Sequence, residues 1–151
     1  MIDGVQIIPL KIIPDERGAI MHGVRKDNIL NEFGEVYFSR VNFNAIKGWH
    51  VHETMTLNYI CVYGQVRLVL HDLREQSPTR GETQEILMGP DNYCLAHIPP
   101  GVANGVKGLW SPYSLICNVA SEPHDPNKKM RRIHPDEGII RYDWAKKFID
   151  R

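Results

Sequence analysis

Short apolar segments, separated by glycine, proline, asparagine and aspartate, recur along this chain at intervals of roughly ten residues, a spacing typical of an antiparallel β-sandwich or barrel. Within Gln65–Leu70, apolar and polar residues alternate, which indicates a strand with one buried face. The pattern predicts strands over Val5–Ile13, Ala19–Val24, Glu35–Val41, Lys47–His52, Asn58–Val62, Gln65–Leu70, Thr83–Leu87, Tyr93–Ile98 and Ser114–Ala120.

The length of 151 residues leaves room for one hydrophobic core, so we expect a single domain over residues 1–151. The end of the chain differs from the rest. In Tyr142–Arg151, Trp144, Phe148 and Ile149 stand among charged residues at helical spacing. The sequence therefore predicts an all-β domain with a short C-terminal helix.

The charge balance excludes several classes of partner. Lysine and arginine number 18, as do aspartate and glutamate, so we expect neither nucleic acid nor a membrane surface as a partner. The basic run Lys128–Arg132 is predicted to be an exposed connection, with the alternative that it reaches a phosphate group.

Three cysteines are spread widely along the chain, namely Cys61, Cys94 and Cys117. Their odd number and apolar neighbours predict buried free thiols rather than a disulfide framework or a zinc site. Free thiols persist in reducing compartments, so we expect a cytoplasmic protein.

His50 and His52 are separated by one residue in a predicted strand, so both side chains point to the same face. Trp49 points to the other face and is expected to pack between the sheets or at a subunit contact. The pair matches part of the first cupin signature, which implies a jelly-roll barrel, the double-stranded β-helix. In metal-binding cupins the pair is completed by a glutamate and a later histidine.

The two completing positions carry other residues here. Leu57 stands at the glutamate position, and Asn104 follows the Pro99–Gly101 corner where a histidine is expected. We therefore expect no metal and treat His52 as a pocket residue, with a metal site that uses His97 or Asn104 as the alternative.

Five segments in order carry a more specific resemblance. The chain resembles the dTDP-4-dehydrorhamnose 3,5-epimerase family of nucleotide-sugar cupins, and the resemblance spans most of its length. The matching segments are Asp15–Gly18, Asn44–His50, Asp72–Gly81, Ile98–Gly105 and Asp136–Ile140 before Trp144.

The resemblance implies a reaction without a cofactor, in which a histidine paired with a carboxylate removes a proton beside a ketone and a tyrosine returns one. It places His50 on the base and Asp136 on its partner. It further implies substrate-binding roles for the side chains of Arg17, Lys47, His52 and Asn104, with Arg17 toward the diphosphate.

Several pocket positions differ from the family. Leu57 replaces a lysine, His22 lies near an expected glutamate, and residues 120–122 contain no tyrosine where the proton donor is expected. Glu122, Tyr113 and His124 are the candidate replacement donors. These differences favour altered chemistry, such as epimerisation at one carbon or keto isomerisation.

The resulting hypothesis is an epimerase or isomerase that acts on a 4-keto-6-deoxyhexose nucleotide in deoxysugar or polysaccharide biosynthesis. The alternatives are a cupin that binds a sugar or another small molecule without catalysis, and a metal-dependent cupin. The resemblance also implies a homodimer formed by exchanged strands.

Overall fold

A computed structural model describes residues 1–27, 29–30, 32–127 and 130–146, and these residues form β-strands, turns and loops without a helix. No helix in this part of the chain is long and apolar enough to cross a membrane. The strands are β1 (Gln6–Pro9), β2 (Ile12–Asp15), β3 (Gly18–Met21), β4 (Glu35–Asn42), β5 (Ile46–His52), β6 (Leu57–Tyr63), β7 (Val66–Asp72), β8 (Thr83–Met88), β9 (Cys94–Ile98), β10 (Val102–Gly108), β11 (Tyr113–Ala120) and β12 (Met130–Arg132).

Two five-stranded antiparallel sheets form the body of the protein. The first has the order β1-β9-β6-β11-β4, and the second has the order β12-β5-β10-β7-β8, so both contain neighbours that are far apart in sequence. The two sheets pack face to face as a jelly roll. The predicted all-β cupin class is confirmed. β2 and β3 form a separate hairpin.

Apolar side chains from both sheets fill much of the space between them. The alternating residues Val66, Leu68 and Leu70 of β7 are fully buried there. They pack with Leu57 of β6 and Val106 of β10 in the same cluster. Burial of this kind is the main stabilising contribution to such a fold.

The segment after β12 covers the outer face of the second sheet. Trp49 packs there against Trp144, with ring centroids 5.1 Å apart, and against Tyr142, at 6.2 Å. Gly105 makes this approach possible, because a Cβ atom at that position would lie 2.9 Å from the Trp144 ring. Trp49 is a packing residue, but its partners come from the segment after β12 and not from the opposite sheet.

Several predicted element boundaries were wrong. The segment Val5–Ile13 forms two strands with different partners, because the chain leaves β9 after Pro9 and then pairs with β3. The strand predicted over Ala19–Val24 ends at Met21. The short C-terminal helix is not seen, since residues 142–146 form a turn flanked by irregular structure, and residues 147–151 lie outside the described part.

Two strands were missed altogether. β10 contains Asn104, Gly105 and Gly108, residue types that disfavour strands when they are read alone. β12 lies in the basic run that was predicted to be an exposed connection, of which Lys128 and Lys129 are outside the described residues. Pairing with β5 at the sheet edge is what makes it a strand.

Candidate active site

A cavity of about 890 Å³ lies between the two sheets and borders the apolar cluster. Its apolar lining includes Val41, Met55, Val106 and Ile116, which also belong to that cluster. The remaining lining is rich in histidine, tyrosine, asparagine and basic residues. A largely preformed pocket with a few convergent polar groups is the usual form of a small-molecule site.

β5 brings both predicted histidines into this cavity. His50 and His52 are half-buried and line it together, as their spacing on one strand face requires. The strand is flanked closely by β10, because Gly48 faces Gly105 at a register shift where a Cβ on Gly48 would lie 2.9 Å from the Gly105 Cα. The two histidines therefore share one strand face, as their spacing in the sequence predicted.

The register of the second sheet sets the neighbours of His50. Asn104 of β10 lies opposite it on one side and Arg132 of β12 on the other, and both line the cavity. The Asn104 Nδ2 donates to the His50 carbonyl oxygen at 3.2 Å. A cation and an amide therefore flank the imidazole along one row of the sheet.

The environment of His50 favours a neutral imidazole. Burial lowers its pKa below the ordinary value of 6.5, and the positive charges of Arg132 and Lys47, together with the neighbouring His52, lower it further. A neutral imidazole at neutral pH can accept a proton from a bound molecule.

His52 faces a different set of charges. Burial and His124 lower its pKa, whereas the carboxylate of Glu122 opposes that change. His52 and His124 also line a smaller side cavity of about 310 Å³, together with Glu122 and Met130. His52 thus stands between the main cavity and a side cavity with acidic walls.

The first sheet supplies the facing wall. Tyr59, Asn118 and Tyr37 occupy one row across β6, β11 and β4, and all three line the cavity. The Asn118 Nδ2 donates to the Tyr37 hydroxyl oxygen at 2.9 Å. The Tyr59 hydroxyl reaches across the cavity and donates to Asn104 Oδ1 at 3.2 Å.

Lys47 also lines the cavity, as the sequence predicted for a substrate-binding residue. Its Nζ donates to the Ser39 hydroxyl of β4 at 2.9 Å, so the cation bridges from β5 to the opposite sheet. The side chain is exposed at the rim, where an incoming anionic group can reach it.

Two predicted site residues lie elsewhere. Arg17 is 83% exposed in the turn between β2 and β3, pairs with Asp15 at 2.8 Å and is not among the residues that line the cavity. The Asp136 carboxylate is 90% exposed and lies 3.6 Å from His134 Nδ1. The structure does not bring Asp136 to His50, since the local turn after Pro135 turns its side chain toward His134.

The cavity residues that the sequence did not single out include Tyr37, Tyr59 and Asn118. Tyr37, Ser39 and Val41 alternate along β4 and share a face, which was the available signal for Tyr37. Arg132 belongs to the basic run for which contact with a phosphate group was the alternative prediction, and it lines the cavity. Of the three candidate proton donors, His124 lines the main cavity, Glu122 lines the side cavity, and Tyr113 stacks on Tyr63 instead.

The arrangement of potential metal ligands bears on the alternative of a metal-dependent cupin. In the described part of the chain, no group of three or more histidine, cysteine, aspartate or glutamate residues is arranged to hold a metal ion. His97, the alternative ligand, instead places Nδ1 at 2.8 Å from the Asn58 side-chain oxygen.

Comparison with known proteins decides the family. The sequence profile described as dTDP-4-dehydrorhamnose 3,5-epimerase matches residues 1–151. The chain belongs to this family. Proteins of similar sequence include the spore coat polysaccharide biosynthesis protein SpsL of Bacillus subtilis (strain 168), which is 38% identical over 152 residues. The match covers 98% of this chain and 99% of SpsL.

Solved structures give the same result. The crystal structure of a dTDP sugar isomerase from Desulfovibrio desulfuricans G20 superposes with a TM-score of 0.90 at 35% identity, covering 97% of this chain and 94% of that one. The epimerase RmlC from Legionella pneumophila Philadelphia 1, solved in complex with dTDP-4-keto-L-rhamnose, has a TM-score of 0.85 at 25% identity, with 96% and 80% covered.

Proposed function

We propose that the protein is an epimerase of 4-keto-6-deoxyhexose nucleotides and that His50 removes the proton, in a pathway of deoxysugar or polysaccharide biosynthesis. The observation that carries this proposal is the position of His50. Its imidazole is half-buried on the wall of a cavity, and burial and neighbouring cations favour its neutral form. The chain that carries it belongs to the dTDP-4-dehydrorhamnose 3,5-epimerase family.

The 4-keto group makes the hydrogens on the two adjacent ring carbons acidic. Neutral His50 accepts one of them, and the electron pair of the broken C–H bond moves onto the ketone oxygen as an enolate. Lys47 and Arg132 line the same cavity as His50, so their positive charges are placed to stabilise the enolate oxygen. Their positive charge thus keeps the base neutral and supports the anion it creates.

Substrate binding is assigned to Lys47, His52 and Asn104. Lys47 lies at the exposed rim, where it suits the anionic diphosphate, whereas Asn104 is buried beside His50 and suits a sugar oxygen. Two relatives, the Legionella epimerase and the Salmonella typhimurium dTDP-4-dehydrorhamnose 3,5-epimerase, are named after dTDP-linked sugar substrates. A dTDP-linked substrate is therefore the first to test.

The test is an incubation of the purified protein with dTDP-4-keto-6-deoxyglucose in deuterated buffer, followed by NMR of the sugar protons. We expect deuterium at C3, C5 or both, and a new product of inverted configuration. Absence of both would overturn the proposal. A rise in melting temperature with dTDP-sugars but without deuterium uptake would instead establish a binding protein without catalytic activity.

Metal dependence is tested separately, because His50 and His52 are ordinary metal-binding residue types. Enzyme treated with a chelator should retain its rate of deuterium uptake. Loss of the rate, with recovery when one equivalent of a divalent metal is added, would favour the metal-dependent cupin instead.

We also propose a homodimer in which the β2–β3 hairpin packs against a second copy. The hairpin pairs with no other strand in the described residues and exposes apolar side chains, with Ile13 49% and Ile20 64% exposed. Arg17, at its tip, would be presented to the diphosphate in the second copy. Sedimentation should give twice the mass of 17.3 kDa, and Ile20→Glu should give the monomer.

A cytoplasmic location is proposed from the cysteines. Cys61 and Cys94 are buried and Cys117 is half-buried, and all three are free thiols. Free thiols suit a reducing compartment. Fractionation of cells that express the native protein tests this location.

A further inference from the structure

Tyr59 and Tyr37 line the cavity from the sheet opposite His50 and His52, and their hydroxyl groups make different hydrogen bonds. The Tyr59 hydroxyl donates to Asn104 Oδ1 at 3.2 Å, and burial raises the pKa of this phenol. Both features keep the proton on Tyr59.

Whereas the Tyr59 hydroxyl donates a hydrogen bond, the Tyr37 hydroxyl accepts one. Its oxygen accepts a hydrogen bond from Asn118 Nδ2 at 2.9 Å. The orientation of that amide is fixed, because Asn118 Oδ1 accepts from the Asn58 backbone N–H at 3.0 Å. A phenol that already accepts a hydrogen bond directs its own proton elsewhere, and a donated N–H also stabilises the phenolate that remains after the proton has left.

The location of Tyr37 suits a group that acts from the face of the sugar opposite His50. Tyr37 belongs to β4 of the first sheet and His50 to β5 of the second, and both line the one cavity between the sheets. A ring bound in that cavity has one face toward each wall. Tyr37 is also 36% exposed, so water can return a proton to it after each turnover.

We propose that Tyr37 is the catalytic acid that protonates the enolate from the face opposite His50. This inference rests on the proposed function and assigns a donor at a position that the sequence did not suggest. It explains how inversion can proceed in a chain that has no tyrosine at residues 120–122.

The step balances without a cofactor. His50 takes the proton from the ring carbon, and the C–H electron pair becomes the enolate. The enolate then collapses, its electron pair forms a new C–H bond with the Tyr37 hydroxyl proton, and tyrosinate remains. Solvent reprotonates Tyr37 and removes the proton from His50, so the enzyme returns to its starting state.

The experiment compares deuterium uptake with inversion for the wild type and for Tyr37→Phe, using dTDP-4-keto-6-deoxyglucose in deuterated buffer. The wild type should invert the carbon and label it. In Tyr37→Phe, His50 can return a deuteron only to its own face. We expect labelled substrate of unchanged configuration and at least a hundredfold slower inversion.

Two further variants make the result specific. Tyr113→Phe is the matched control, because Tyr113 is not among the cavity-lining residues and packs against Tyr63 and Arg40; it should behave as the wild type. Tyr59→Phe removes the other cavity hydroxyl and should still invert the substrate. Retained exchange in Tyr37→Phe itself shows that this variant is folded.

Other outcomes overturn the inference. Inversion by Tyr37→Phe at the wild-type rate, or loss of exchange together with inversion, contradicts the assigned role. Exchange without inversion in Tyr59→Phe would assign the acid to Tyr59. If the wild type exchanges no deuterium, the proposed function fails along with the inference, and this result is distinct from those above.

Discussion

The two faces of β5 have opposite properties, although their residues alternate within one short strand. On the outer face, Trp49 is 1% exposed and is packed by Trp144 and Tyr142. On the inner face, His50 and His52 are half-buried around a cavity. The outer face is closed by aromatic rings, and the inner face is open to a ligand.

This difference indicates how the fold supports the chemistry. A strand with one face fixed by large rings positions the other face firmly without filling it. Residues on the outer face should therefore affect stability more than chemistry, and residues on the inner face should do the reverse. The predictions below test that separation.

The largest effect is expected for His50→Asn. Loss of a general base costs roughly a hundred- to ten-thousandfold in turnover. Because the residue borders a cavity, the free energy of unfolding should change by less than about 1 kcal/mol. Turnover and urea unfolding are measured on the same preparation. His52→Asn is the matched control and should lose less turnover. Equal losses in the two variants would contradict the base assignment.

Trp49→Ala tests the opposite face. Removal of a fully buried indole should lower the free energy of unfolding by about 3–5 kcal/mol. Chemical denaturation measures this change. If the variant unfolds as the wild type does but has lost turnover, the two faces are not separate in the way proposed.

A smaller loss is expected for Gly105→Ala, where the new Cβ would lie 2.9 Å from the Trp144 ring. Overpacking should lower the free energy of unfolding by about 1–3 kcal/mol. Gly23→Ala is the control, since its Cβ would meet Ile60 at an ordinary 3.6 Å. A tolerated Gly105→Ala would show that Trp144 can move away from the sheet.

The smallest effect concerns pH. Because His50 must be neutral and its pKa is lowered from 6.5, the acid limb of kcat/KM should lie below pH 6.5. Arg132→Gln removes a positive charge that disfavours the imidazolium, so the pKa rises and the limb moves to higher pH. Arg131→Gln is the control, since Arg131 does not line the cavity. A shift to lower pH would contradict the assigned electrostatics.

The sequence predicted those parts of the site that local patterns determine. Alternation placed His50 and His52 on one face and Trp49 on the other, and the Asn44–His50 and Ile98–Gly105 segments indicated the family. Each of these signals lies within a few consecutive residues.

The remaining features depend on pairing between distant segments. Arg132 reaches His50 because β12 joins the edge of β5 through backbone hydrogen bonds, which the side-chain pattern does not reveal. Tyr37 shares a cavity with His50 only because the two sheets pack against each other. The pairing predicted between Asp136 and His50 is not found for the same reason. The sequence does not show that the loop after Pro135 directs the Asp136 side chain toward His134.

The most direct test of this account is a crystal structure of the protein with dTDP-glucose, which lacks the 4-keto group and cannot react. We predict that the sugar lies between His50 and Tyr37, with the reacting carbons about 3–3.5 Å from the imidazole. The diphosphate should lie near Lys47 at the rim. A nucleotide bound elsewhere, with the cavity between the sheets free of sugar, would contradict the central claim that the inner face of β5 is the catalytic wall.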